Sequence, residues 1–143
     1  FMEQNVKLLE AIVKCGEMGR GTLDHMSDIN ENGAFAASMQ IQQNEYEAIR
    51  EEAARQLAAM GRSVEQLSVM EKLNTAMGVK MNTLADKSAR HMAEMLIQGS
   101  TMGIVDLTKA MRDNPGAGAE VQALADRMVQ FMQRNIEEMK VYL

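Results

Sequence analysis

The feature that most constrains the fold is the spacing of the apolar residues, which recur at intervals of four and three. The first such series is Leu8, Ile12, Cys15, Gly19, Thr22, Met26 and Ile29. Residues at this spacing share one face of an α-helix and form the inward seam of a helical bundle. The 143 residues include one proline, and 46% are apolar but only 3% aromatic. We therefore predict an all-α fold whose core is aliphatic and rich in the fifteen methionines.

Turn-forming residues divide the chain, which we interpret as one domain (1–143), into five helical segments. Gly33 and Gly61 are suited to helix ends, Ser63 with Gln66 forms a capping box, and Pro115 marks a clear break. The predicted helices are approximately 3–29, 34–60, 64–84, 89–112 and 119–141. The segment 89–112 has apolar residues on most of its faces, so we expect it to be the most buried helix.

Segment lengths then limit the architecture. The short turns at 30–33 and 113–118 make the helices that they join antiparallel neighbours. The segment 64–84, if helical, spans roughly 30 Å, enough to return the chain to the other end of the bundle. We predict a four-helix bundle of two antiparallel hairpins with a helical crossover, a ferritin-like topology. The alternative is an irregular five-helix array in which 64–84 is another core helix.

Small residues cluster at the middle of two helices, around Gly19 and around Gly99 with Ser100. Glycine inside a helix costs about 1 kcal/mol relative to alanine, so these positions need a compensating reason. One reason is close helix packing, or room for a bulky neighbour such as Tyr46 or Phe131. The other is a cavity that admits a small apolar ligand. Its candidate lining residues are Glu17, Gly19, Tyr46, Gly99 and Ser100.

A metal site is the second candidate. Bundle metal sites pair Glu and His three residues apart on one helix face, and His91 with Glu94 has this spacing in reverse order. In the crossover topology His25 and either Glu137 or Glu138 would lie at the same end of the bundle. Imidazoles and carboxylates of this kind suit zinc, manganese or iron. The competing interpretation makes them ordinary helix-end residues, so no cofactor is assigned firmly.

Other function classes are disfavoured by composition. The net charge is −5 and there is no basic stripe, which argues against a nucleic-acid partner. No apolar run is long enough for a transmembrane helix, and Lys7, Glu10 and Lys14 interrupt the N-terminal apolar residues that a signal peptide would need. The single cysteine fits a reducing cytoplasm. Neither a catalytic triad nor a phosphate-binding loop is recognisable, so an enzyme is the less favoured class.

Two stretches, SARHMAEMLIQGSTMGIVD from Ser88 to Asp106 and the opening MEQNVKLLEAIVKCGEMG, resemble a family of small uncharacterised bacterial helical-bundle proteins of the Firmicutes type. The resemblance implies a bundle that is ferritin-like in layout, and it implies no activity. The di-iron ligands of ferritin-like proteins have no counterpart here, because the chain contains no Glu-x-x-His. We expect a cytoplasmic, non-catalytic bundle that binds a protein partner, including a second copy of itself, or a small apolar ligand. The alternative is a metal-binding ferritin-like protein or metal-dependent enzyme that uses His25, His91, Glu94 and Glu138.

Overall fold

The computed structural model describes residues 2–27, 33–64, 86 and 88–143. Within these ranges the chain forms four α-helices and no strand, which confirms the prediction of an all-α bundle. The helices are α1 (Met2–Ser27), α2 (Gly33–Ala59), α3 (Ala89–Asp113) and α4 (Ala119–Met139), and a 3₁₀ turn follows at Lys140–Tyr142. The predicted crossover helix, 64–84, lies outside the described residues except for residue 64.

Local chemistry accounts for the ends of α3. Ser88 has an extended backbone, and its hydroxyl accepts a hydrogen bond from the amide of His91, 3.2 Å away, as an N-cap residue does. At the other end the Asn114 side chain donates to the carbonyl of Ala110 over 2.8 Å. Pro115 then prevents continuation of the helix. Both ends of this helix are therefore set by residues at or next to its termini.

The four helices pack as two hairpins around one core. α1 pairs with α2 and α3 pairs with α4, while α1 also contacts α3 and α4, and α2 contacts α4. The largest side chains that are fully buried come from all four helices: Leu8, Leu9, Ile12, Leu23, Met26, Phe35, Met39, Ile49, Leu57, Met92, Leu107 and Met128. Aliphatic side chains and methionine thus dominate this core, as the low aromatic content requires.

Contacts at the two ends fix the helix directions. At one end Arg62 lies 3.6 Å from Glu3, and the amide of Gly118 donates to the side chain of Asn5 over 2.7 Å. At the opposite end the rings of Phe35 and Tyr142 meet edge to face, with centroids 4.9 Å apart. Hence α1 and α4 run from the first end to the second, and α2 and α3 run the opposite way. Among the described helices, none is both long enough and apolar enough to cross a lipid bilayer.

Candidate functional site

The space beside Gly19 is filled by the ring of Tyr46. A Cβ atom added at Gly19 would fall closer than 3 Å to several atoms of that ring. The ring also contacts Phe131 edge to face, with centroids 4.7 Å apart. Gly19 therefore makes room for the Tyr46 ring, which enters between the helices from α2. This is the packing role that the sequence analysis gives as the alternative to a cavity.

The hydroxyl end of Tyr46 lies among polar groups. Ser100 of α3 and Asn135 of α4 both interact with it and favour its ionised form, but burial is the largest influence and raises its pKa strongly. The Nδ2 atom of Asn135 and the Nε2 atom of Gln42, one helical turn from Tyr46, are buried and have no hydrogen-bond partner in the part of the chain that the structure describes. The interior at this level therefore contains a layer of polar side chains.

The predicted mid-height cavity needs correction at Gly99. This glycine lies on the exposed surface of α3, and apart from its chain neighbours and the adjacent backbone of α3 no described atom lies within 4 Å of the position that a Cβ would take. Gly19 and Gly99 therefore do not line a common internal space, although Ser100 and Tyr46 do meet inside. The sequence shows that a helix has small residues, but the rotation of each helix decides which of them face inward.

Glu17, the remaining cavity residue, belongs to a charged cluster between α1 and α2. It is only 3% exposed, and its Oε1 atom has no hydrogen-bond partner among the described residues. Glu47 nearby accepts from Arg50 over 2.5 Å and from Arg20 over 3.1 Å. Burial raises the pKa of Glu17, and the charges of Arg50 and Arg20 oppose that rise. The hydrogen bond from Arg50 lowers the pKa of Glu47.

Cys15 is packed against a methionine and not against a base. Its Sγ atom lies 3.6 Å from Sδ of Met132, and Gly103 leaves room for this contact, since a Cβ there would lie 2.7 Å from the same sulfur. Burial, with a smaller contribution from the charge of Asp106, raises the pKa of Cys15 to about 12. A thiol with so high a pKa is a poor nucleophile at neutral pH.

Of the predicted metal ligands, the structure brings two together. The Nδ1 atom of His91 lies 3.5 Å from Oε2 of Glu94, one helical turn along α3. No hydrogen bond or ion pair links this pair to His25 or Glu138 within the described ranges. The described part of the chain also has no group of three or more His, Cys, Asp and Glu side chains arranged to hold a metal ion. The four-ligand site stays a prediction.

The outer face of α3 is a surface that the sequence analysis did not identify. The expectation that this helix would be the most buried is wrong on this face, where Met102 is 63% exposed and Val105 50% exposed. Met95 is half-buried on the same face, and Gly99 lies between Met95 and Met102. Met95, Gly99 and Met102 follow the four-and-three spacing of a helix-pairing seam, and Val105 lies three residues beyond Met102. An apolar residue count cannot distinguish such an outer seam from a second buried face.

Comparisons of this chain with protein-family models, with curated proteins and with solved structures found no match.

Proposed function

We propose that this protein is a non-catalytic helical bundle that binds a partner protein through the outer face of α3. The observation that carries the proposal is the pair of exposed side chains Met102 and Val105 on that face. Exposed apolar side chains lose contact with water when a partner covers them, which stabilises association by about 25 cal/mol for each Å² buried. Methionine adds a flexible surface that can adapt to a partner side chain.

The position of Gly99 supports the same conclusion. A glycine in the middle of α3 destabilises the helix by about 1 kcal/mol relative to alanine. Gly103, one turn later, is explained by its contact with Met132, but Gly99 faces open space. A glycine on an exposed apolar face lets a second helix approach the backbone closely, and this role would offset its local cost.

Binding of a small apolar ligand inside the bundle has less support. The ring of Tyr46 fills the space beside Gly19 and is itself 5% exposed and packed on Phe131. A ligand at this position would have to displace the ring from contacts with three other helices. The outer face of α3 requires no such rearrangement, so we favour a protein partner.

We further propose a ferritin-like layout and a cytoplasmic location for the protein, with the Firmicutes-type bundle family as its relatives. The layout is supported by the helix directions, because residue 64 and Ala89 lie at opposite ends of the bundle. The location is supported by the single cysteine, which cannot form a disulfide within the chain.

The proposed function can be tested by site-specific photo-crosslinking in the cells that make the protein. A benzoylphenylalanine at position 102 should give a crosslinked product that is lost when Val105 is also changed to Arg. The matched control carries the same group at position 41 on α2, where Ile41 is 67% exposed. Absence of any product at 102, or equal yields at 102 and 41, would overturn the proposal.

A metal-binding function is the second candidate, because His91 and Glu94 already lie within 3.5 Å of each other. Elemental analysis of the purified, untagged protein after incubation with Zn²⁺, Mn²⁺ or Fe²⁺ and gel filtration should then find about one equivalent of the metal. A variant with His91→Ala and Glu94→Ala should retain none. Retention below about 0.1 equivalent by the unmodified protein would exclude this function.

A further inference from the structure

We propose that the partner bound by the outer face of α3 is a second copy of this chain, paired antiparallel about a two-fold axis that passes beside Met102. This inference rests on the proposed function, since it names the occupant of the same surface. It also adds a register, which the pattern of charges on α3 determines.

The apolar part of the face is centred near its middle. Met102 and Val105 are exposed, Met95 is half-buried, and Gly99 lies beside them. A two-fold axis at Met102 places this side chain against the Met102 of the second copy. Methionine suits such self-contact because its unbranched side chain can adjust its rotamers to an identical neighbour. The isologous contact uses one patch twice, as the commonest homodimers do.

The first charged position is Glu94, eight residues before Met102. In the antiparallel pair it lies level with the position eight residues after Met102, between Lys109 and Arg112 of the second copy. All three side chains are exposed in the structure. One carboxylate would therefore face two cations, and symmetry repeats the arrangement at the other end of the contact. Glu94 is the only acidic residue on the first two turns of α3.

The second charged position is His91, eleven residues before Met102. In the same register it lies level with Asp113 of the second copy, eleven residues after Met102. An imidazole is then opposite a carboxylate, and it already has Glu94 at 3.5 Å within its own chain. A parallel pair would instead place each of these residues beside its own copy, so that like charges would face one another. Asp106, exposed four residues after Met102, lies level with the neutral Gln98 of the second copy in this register. The antiparallel register therefore matches opposite charges at the two ends of the face.

The apolar centre of the contact and the charges that flank it have different roles. Burial of Met102 and Val105 supplies the affinity, because exposed charge pairs contribute little. The charges at Glu94, Lys109 and Arg112 select orientation and register, since like-charge contacts oppose the alternatives. A substitution at Met102 should therefore reduce the affinity of the dimer most. The loss caused by a charge reversal at Glu94 should be recovered by the opposite charge reversal at Lys109.

Sedimentation equilibrium of the purified full chain over a wide concentration range tests the inference. The unmodified protein should form a dimer. Met102→Arg should weaken the dimer roughly tenfold or more, since the loss of one central apolar contact is worth about 1.4 kcal/mol. The matched control is Ile41→Arg, which changes an equally exposed apolar residue on α2 and should leave the dissociation constant unchanged. Circular dichroism of each variant verifies that the fold is retained.

The register is tested by a charge exchange. Glu94→Lys alone should weaken the dimer, and the double change Glu94→Lys with Lys109→Glu should recover most of the loss. A monomer at every concentration, a dimer that is insensitive to Met102→Arg, or a double variant no better than Glu94→Lys would overturn the inference.

In the crosslinking experiment, a product of twice the chain mass supports both proposals. A product with a different protein supports only the docking role of α3, and contradicts a second copy as its occupant.

Discussion

At the scale of single residues, the structure separates glycines that have the same sequence context. Gly19 and Gly99 both lie inside long helices, and both were grouped as lining residues of one cavity. Gly19 is in contact with the Tyr46 ring, whereas Gly99 has open space around its Cα. The two positions should therefore respond in opposite ways to the same substitution.

Gly19→Ala should destabilise the protein by about 1–3 kcal/mol, because a methyl group would overlap the Tyr46 ring in a packed interior. Gly99→Ala should stabilise the dilute protein by roughly 0.5–1 kcal/mol, because alanine is the better helix former and nothing obstructs its methyl group. Urea unfolding of both variants at one low protein concentration measures the difference. Equal effects of the two changes would mean that Tyr46 does not occupy the space beside Gly19.

At the scale of helices, most of what the sequence could predict depends on local signals. The predicted ranges 89–112 and 119–141 agree closely with α3 (Ala89–Asp113) and α4 (Ala119–Met139). These ends could be predicted because Ser88 and Pro115 act on the residues next to them. The rotation of α3 could not be predicted. Its apolar residues occur on several faces, and only packing against α1 and α4 selects the face that is buried.

The candidate site was harder to predict than the helices for the same reason. Tyr46 and Ser100 were identified as neighbours from their mid-helix positions, and the structure brings them together. Asn135 was missed, since an asparagine one turn beyond Phe131 on an amphipathic helix gives no signal of burial. Glu17 was identified, but two of its charged neighbours, Arg50 and Glu47, are on α2, and a single sequence does not reveal which residues of two helices meet.

The pairing of α1 with α2 leads to opposite pH dependences for two carboxylates. Burial raises the pKa of Glu17 in the folded protein, so the stability that it contributes is present below the pKa of the unfolded chain and is lost as pH rises through the folded pKa. The hydrogen bond from Arg50 lowers the pKa of Glu47, so its contribution is present above the unfolded pKa and is lost as pH falls through the folded pKa.

Replacement of each glutamate by glutamine tests the direction of these two pH dependences. Relative to the unmodified protein, Glu17→Gln should become more stable as pH rises from about 3 to 7, because a neutral amide has no charge to desolvate. Glu47→Gln should become less stable over the same range, by about 0.5–1 kcal/mol at pH 7, since its ion pairs are partly exposed. Unfolding free energies measured at several pH values give both slopes. Slopes of the same sign would contradict the α1–α2 geometry.

At the scale of the whole molecule, the two ends of the bundle are joined by different chemistry. Polar contacts join the start of α1 to the turn between α3 and α4, where Gln4 and Asn5 accept hydrogen bonds from the amides of Gly116 and Gly118. Aromatic packing joins the start of α2 to the end of the chain, where Tyr142 contacts Phe35. Each junction connects one helical hairpin to the other, so together they fix how the hairpins are aligned.

The aromatic junction gives a direct test of that alignment. Tyr142 packs edge to face on Phe35, which is fully buried, and its hydroxyl lies 3.5 Å from that of Ser38. Tyr142→Ala should lower the free energy of unfolding by about 1–2 kcal/mol, because it removes the ring contact and exposes Phe35 to water. Tyr142→Phe should retain most of this stability, since the ring remains. Val141→Ala, at a side chain that is 82% exposed, should have almost no effect. If Tyr142→Ala were as stable as Val141→Ala, the end of α4 would not lie against the start of α2. The antiparallel alignment of the hairpins, and with it the opposite placement of residue 64 and Ala89, would then have to be abandoned.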